Sequence, residues 1–104
     1  DMDYGPKESI FVPFFGVPTA TITGLARLAK LTGATVIPLV TRMESGAYVA
    51  RLGTPWTDFP GSDDAADARR MNAFIEAEVL QSPEQYYWLH KRFKTRPPGE
   101  KGLY

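Results

Sequence analysis

The feature that most constrains the fold is the order of apolar segments over residues 9–40. Ser9–Phe15 reads SIFVPFF, an aromatic and β-branched run typical of a buried strand, although Pro13 lacks one backbone donor. Thr19–Leu31 predicts an amphipathic helix from apolar residues at Ile22, Leu25, Ala26 and Ala29. Ala34–Val40 reads ATVIPLV and predicts a second buried strand. A strand, a helix and a strand in this order favour a right-handed parallel crossover.

The rest of the chain adds one strand and further helix. Tyr48–Leu52 predicts a third strand, which forms a hairpin with the second through the turn residues Glu44, Ser45 and Gly46. A second helix is indicated by the apolar positions Met71, Phe74, Ile75 and Val79, and Ser82-Pro83 ends it. Pro83 then suits the first turn of a short helix reaching Trp88 or beyond. We therefore predict an α/β fold, with a small mixed sheet of about three strands and two to three helices.

Composition sets limits on the kind of protein. A chain of 104 residues supports one small domain, and its zero formal charge disfavours a nonspecific nucleic-acid binder. With no cysteine and a single histidine, a Cys/His zinc site is excluded, and neither a metal nor a cofactor is expected. No apolar run approaches the roughly 18 residues of a membrane span, so we expect these residues to be soluble. The start, DMDYGPKES, has no initiator Met and no signal-peptide pattern, which favours a fragment of a longer protein.

Two candidate ion sites have simpler explanations beside them. A glycine turn at a strand end, followed by hydroxyl residues that open a helix, is a place where a phosphate or carboxylate binds; the segment is Phe14-Phe15-Gly16-Val17-Pro18-Thr19-Ala20-Thr21. The alternative is that the hydroxyls only cap the helix and that Gly16 only permits the turn. The aspartates at 58, 63, 64 and 67 lack the spacing of a calcium loop, and capping of the second helix explains them better.

The tail concentrates aromatic and basic residues. Residues 83–100 read PEQYYWLHKRFKTRPPGE, with cations at Lys91, Arg92, Lys94 and Arg96. Such a segment suits phosphate, an acidic carrier protein or anionic lipid headgroups, and Tyr87 and Trp88 suit an interface. A solvated charge run is the alternative. His90 has no carboxylate at positions 86–94 to orient it as a general base, so we expect it to be structural or to contact substrate.

Four blocks of the chain resemble, in order and spacing, the C-terminal half of the lipid A late acyltransferases, a family within the lysophospholipid acyltransferase superfamily. They are DMDYGP at the start, residues 11–39, Arg69-Arg70-Met71-Asn72, and the tail PEQYYWLHKRFKTRPPGE. The resemblance implies that residues 1–104 are the C-terminal portion of one acyltransferase domain, part of a larger α/β sandwich. It also implies that the catalytic half and a membrane anchor lie upstream.

The implied activity is transfer of a fatty acyl group from acyl carrier protein to a hydroxyl of a lipid A precursor. The implied place is the cytoplasmic face of the inner membrane of a Gram-negative bacterium, against an anionic membrane surface. The superfamily uses a His-x-x-x-x-Asp/Glu pair, but Thr95 stands where His90 would need its carboxylate. No catalytic residue is therefore expected in this chain, and it should be inactive alone.

The resemblance also implies which residues bind substrate. Asp3 and Gly5 would lie near the acceptor, and Phe14, Phe15, Gly16 and Thr19 would shape the pocket. Arg92, Lys94 and Arg96 would meet lipid A phosphates or the carrier protein. Two alternatives come from other classes of protein: a non-enzymatic binding module for an acidic protein or anionic membrane, and a structural domain whose strand edges pair in a dimer.

Overall fold

The computed structural model describes residues 1–104 as two β-hairpins, two α-helices and a largely irregular tail. The strands are β1 (Ser9–Phe14), β2 (Val17–Ile22), β3 (Leu39–Glu44) and β4 (Ala47–Leu52). The helices are α1 (Gly24–Thr32) and α2 (Asp64–Gln81), followed by a single 3-10 turn at Pro83–Gln85. The predicted α/β class is confirmed, with four strands in two antiparallel pairs.

Both hairpins are closed by the same kind of two-residue turn. Phe15 and Gly16 have φ angles of 49° and 75°, and Ser45 and Gly46 have 50° and 78°. Two successive positive φ values are typical of a type I′ turn, whose twist matches that of the paired strands. The predicted hairpin between the second and third strands is therefore confirmed, although its first strand begins at Leu39 rather than at Ala34.

The predicted parallel crossover is wrong. β1 pairs antiparallel with β2, from Ser9 opposite Ile22 to Phe14 opposite Val17, and no ladder joins it to β3. The segment from Thr19 to Ile22 belongs to a strand instead of a helix, and α1 begins only at Gly24. A two-residue turn places β2 beside β1, so the backbone donors and acceptors of β1 pair with residues nearby in sequence. A parallel crossover would pair them only with β3, after a longer connection.

The C-terminus of α1 and both ends of α2 agree with the sequence predictions better than the strand pairing does. Gly33 lies at the C-terminus of α1 with a left-handed φ of 71°, as its position predicts. The Asp63 carboxylate accepts from the Ala65 N–H at 2.9 Å and caps α2, while Asp64 and Asp67 lie in its first turn. The capping explanation is thus confirmed for Asp63, while Asp58 lies in the preceding loop and the Asp67 carboxylate accepts from the Gly61 N–H at 2.9 Å. α2 ends at Gln81, before Ser82-Pro83, and the predicted short helix is only one 3-10 turn.

The core lies where the β1–β2 hairpin meets α2 and the tail. The Asn72 side chain of α2 donates to the Pro13 carbonyl at 3.1 Å, and Glu76 accepts from the Phe15 N–H at 2.8 Å. The β3–β4 hairpin is joined to α2 by the Arg42–Glu78 ion pair at 2.6 Å. Its opposite face leaves large apolar side chains exposed at Leu39, Met43, Tyr48 and Leu52. Neither helix combines the length and the apolar character that crossing a membrane would need.

Candidate functional site: the tail clasp

Arg92 points into the protein rather than into solvent. Its side chain is only 3% exposed, and its guanidinium donates to the Ala20 carbonyl at 2.7 Å and to an Asp1 carboxylate oxygen at 2.6 Å. The guanidinium carbon also lies 5.2 Å from the ring centre of Phe14. Burial lowers the pKa of Arg92 below its ordinary value, against the opposing effects of Tyr86, Asp3 and Tyr104. One predicted binding cation is therefore engaged in holding β2 and the first residues against the tail.

Asp3 forms the second half of this contact. It is buried, and its carboxylate accepts from the Thr95 N–H at 2.7 Å, from the Thr95 hydroxyl at 2.8 Å and from the Gly5 N–H at 2.8 Å. Burial by itself raises the pKa of Asp3, but the hydrogen bonds from Thr95 and Gly5 and the charge of Lys94 lower it below 3.8 overall. We call residues 1–5 and 90–96, joined through these bonds, the tail clasp.

His90, the only histidine, belongs to the clasp as a hydrogen-bond acceptor. Nε2 of His90 receives the Asp3 backbone N–H at 2.8 Å. A ring nitrogen that accepts this bond is not free to take a proton from a substrate hydroxyl in the same arrangement. The geometry agrees with a structural role for His90, one of the two roles expected from the sequence.

The remaining tail cations divide into inward and outward groups. The Arg96 guanidinium donates to the Pro18 carbonyl at 2.7 Å and pairs with Glu100 at 2.6 Å. Lys91 and Lys94 are exposed. Of the three predicted binding cations, Lys94 is thus the one presented to solvent, whereas Arg92 and Arg96 hold carbonyl oxygens of β2.

The four predicted pocket residues do not share one environment. Phe14 is fully buried, with the rings of Phe15, Phe93 and Tyr86 centred 4.8, 5.9 and 6.4 Å away. Phe15 and Gly16 form the exposed hairpin turn. The Thr19 hydroxyl is buried and donates to the Val17 carbonyl at 2.7 Å. Because Thr19 lies in β2, the predicted anion site at a helix N-terminus is wrong, while a substrate-binding role for these residues stays a prediction.

One central residue was missed by the sequence reasoning. Asn72 is completely buried, and besides the Pro13 carbonyl its amide donates to the Thr21 hydroxyl at 3.0 Å. Thr21 in turn accepts from Arg92 at 3.4 Å, so the network joins α2, β2 and the tail. A polar residue on the apolar side of a helix, beside Met71 and Ile75, is the signal that indicates such a contact.

Two clefts lie away from the clasp, between the β3–β4 hairpin and α2. They have volumes of about 260 and 250 Å³, and both are lined by Val40, Phe74 and the Arg42–Glu78 pair. A smaller one of about 130 Å³ lies at the clasp itself, between Met2, Ile22 and Arg92. Only the smallest of these three clefts is thus formed by the clasp.

Comparison with known proteins identifies the group to which this arrangement belongs. The family model described as bacterial lipid A biosynthesis acyltransferase matches residues 1–95, which include the tail clasp almost entirely. The chain belongs to the lipid A biosynthesis acyltransferase family. No solved structure matches it.

Individual relatives agree with the family match. The chain is similar to the lipid A biosynthesis lauroyltransferase of Escherichia coli strain K12, at 42% identity over all of this chain and 35% of the relative. It is 41% identical to the palmitoleoyltransferase of the same strain over the same shares of the two chains. It is 40% identical to the myristoyltransferase over 96% of this chain and 32% of that relative. The chain thus spans about a third of the length of these relatives.

Proposed function

We propose that this chain is part of an enzyme that moves a fatty acyl chain from acyl carrier protein to a hydroxyl of a lipid A precursor. The family match over residues 1–95 carries the proposal. The relatives named for lauroyl, palmitoleoyl and myristoyl groups differ in acyl chain and agree in lipid A biosynthesis. We therefore take a lipid A precursor as the acceptor that these enzymes have in common. We place the reaction at the cytoplasmic face of the inner membrane.

The proposed reaction is a thioester-to-ester exchange. The acceptor hydroxyl oxygen forms a bond to the thioester carbonyl carbon, the bond from that carbon to sulfur breaks, and the hydroxyl proton passes to a general base. We assign that base to a part of the polypeptide outside residues 1–104. In support, the one histidine of the chain has its Nε2 occupied by the Asp3 N–H.

Within this reaction, residues 1–104 would serve substrate binding. We propose Lys94 as a direct contact for a phosphate of the acceptor or an acidic surface of the carrier protein, because it is an exposed cation of the clasp. Arg92 and Arg96 would act mainly by fixing β2 beneath that surface. The other residues proposed for the substrate site are Asp3, Gly5, Phe14, Phe15, Gly16 and Thr19. Of these, Asp3, Phe14 and Thr19 are buried and would act by holding the shape of the site rather than by touching substrate.

A mass measurement tests the proposed function. A polypeptide that extends this chain to the length of its relatives is incubated in detergent with a lipid A precursor and a fatty acyl thioester of acyl carrier protein. We expect the precursor to gain the mass of one acyl group, because donor, acceptor and base are then together. The matched control is residues 1–104 alone, for which no gain is expected. Absence of product from the longer polypeptide would contradict the activity, and product from residues 1–104 would contradict the assignment of the base elsewhere.

A further inference from the structure

The most exposed apolar residues of the tail lie together at the tip of one turn. The His90 N–H donates to the Tyr87 carbonyl at 3.1 Å, which places Trp88 and Leu89 at the two central positions of the turn. The exposed fractions of Tyr87, Trp88 and Leu89 are 70%, 56% and 83%. Contiguous apolar groups exposed in this way mark interaction sites on soluble surfaces. We call residues 87–89 the aromatic tip.

The aromatic tip is held in one orientation by contacts on its inner side. The Trp88 indole N–H donates to the Pro83 carbonyl at 2.7 Å, and its ring meets the Tyr86 ring edge-on with centroids 4.8 Å apart. The single polar atom of the indole is therefore satisfied within the protein. Its outer face stays free to contact an apolar partner without loss of a hydrogen bond.

Basic groups outnumber acidic ones in the tail segment that carries the aromatic tip. Lys91 and Lys94 are exposed, and no carboxylate lies within ion-pair distance of either ammonium group. Of the acidic groups of the same tail, Glu100 is already paired with Arg96, while the exposed Glu84 follows Pro83, whose carbonyl accepts the Trp88 indole N–H. The Lys91 ammonium lies 5.7 Å from the ring centre of Tyr104, and neither lysine is neutralised by an ion pair. An apolar tip together with two such lysines is complementary to a surface that is apolar inside and anionic outside.

We propose that the aromatic tip and its two lysines dock on an anionic lipid bilayer. Tyr and Trp side chains favour the headgroup level, Leu89 reaches the acyl region, and the long lysine side chains keep their charges among the phosphates. An acidic protein surface would match the lysines, but unlike a bilayer it has no continuous apolar layer beneath its charges for Leu89 to enter. The inference rests on the proposed function, in which the acceptor is a membrane lipid, and it names the segment that meets the membrane.

The first test is partition of the chain to vesicles of equal parts phosphatidylglycerol and phosphatidylcholine, measured by sedimentation. Leu89→Ser should weaken binding about tenfold, since an apolar side chain no longer enters the bilayer. Leu31→Ser is the matched control, because Leu31 is 84% exposed in α1 and far from the tail in sequence. Lys91→Gln with Lys94→Gln should weaken binding about thirtyfold, at about fivefold per lysine, while vesicles of phosphatidylcholine alone should bind weakly.

A fluorescence measurement locates the contact. Trp56→Phe leaves Trp88 as the only indole, and Trp88→Phe leaves only Trp56. Lipids brominated on their acyl chains should quench the fluorescence of Trp88 in the Trp56→Phe variant. They should leave the fluorescence of Trp56 in the Trp88→Phe variant unchanged. Three outcomes would overturn the proposal. They are equal fluorescence quenching in both variants, equal loss of binding with Leu31→Ser and Leu89→Ser, and no binding to the anionic vesicles. Lysine-dependent binding to acyl carrier protein without any binding to vesicles would overturn it as well. The acyl-transfer assay is run in detergent, so its failure and the failure of vesicle docking are distinguishable.

Discussion

Arg92→Ala is expected to lower the free energy of unfolding by about 3–5 kcal/mol, the cost of removing one partner from a buried ion pair. The change leaves the Asp1 carboxylate and the Ala20 carbonyl without their guanidinium donor. It also opens a space beside Phe14, over whose ring the guanidinium lies. Urea unfolding followed by circular dichroism measures the effect.

The matched control for this change is Arg51→Ala. The Arg51–Glu44 ion pair is 3.0 Å long but mostly exposed, and exposed pairs contribute less than about 1 kcal/mol. A similar loss for both arginines would mean that the Arg92 side chain is solvated. In that case Arg92 would again be available as a direct phosphate contact.

Phe14→Ala is the second change with a large expected effect, again a loss of about 3–5 kcal/mol in the free energy of unfolding. Phe14 is fully buried among three aromatic rings, and the alanine leaves a cavity that these rings can fill only in part. The same urea titration measures it. A folded variant with nearly unchanged stability would show that Phe14 lines an open pocket.

Phe15→Ala provides the comparison at the neighbouring position. Phe15 lies in the hairpin turn with its side chain partly exposed, so its removal should cost about 1 kcal/mol, mainly through the lost edge-to-face contact with Phe14. The two phenylalanines look equivalent in the sequence. The structure separates them into a core residue and a surface residue.

Local signals in the sequence predicted local structure well. The glycine after α1, the aspartate before α2 and the Ser82-Pro83 pair all act within a few residues, and the three helix boundaries that they mark agree with the structure. The β1–β2 hairpin was missed although Val17–Ile22 is rich in β-branched residues. The apolar spacing of the following helix continues backwards over that strand, and a glycine after an apolar run is equally typical of a strand-to-helix turn and of the hairpin turn found at Phe15-Gly16.

Local signals could not predict whether each basic side chain of the tail points into the protein or into solvent. Four basic residues within six positions look alike in sequence, and what turns Arg92 inward is a carbonyl 72 residues away in β2. Asp3 likewise meets Thr95 across 92 residues. Such contacts depend on how the hairpin, α2 and the tail pack together, so the family resemblance identified the segment while the structure assigned roles within it.

The basic tail closes inward on the first residues and on β2 through Arg92 and Arg96, and it presents its aromatic tip and its two lysines outward. Amide hydrogen exchange measured by NMR tests this most directly. The Thr95 N–H, bonded to the Asp3 carboxylate at 2.7 Å, and the Asp3 N–H, bonded to His90, should be protected well above the Leu89 N–H at the turn tip. Exchange of Thr95 and Asp3 as fast as Leu89 would contradict the clasp.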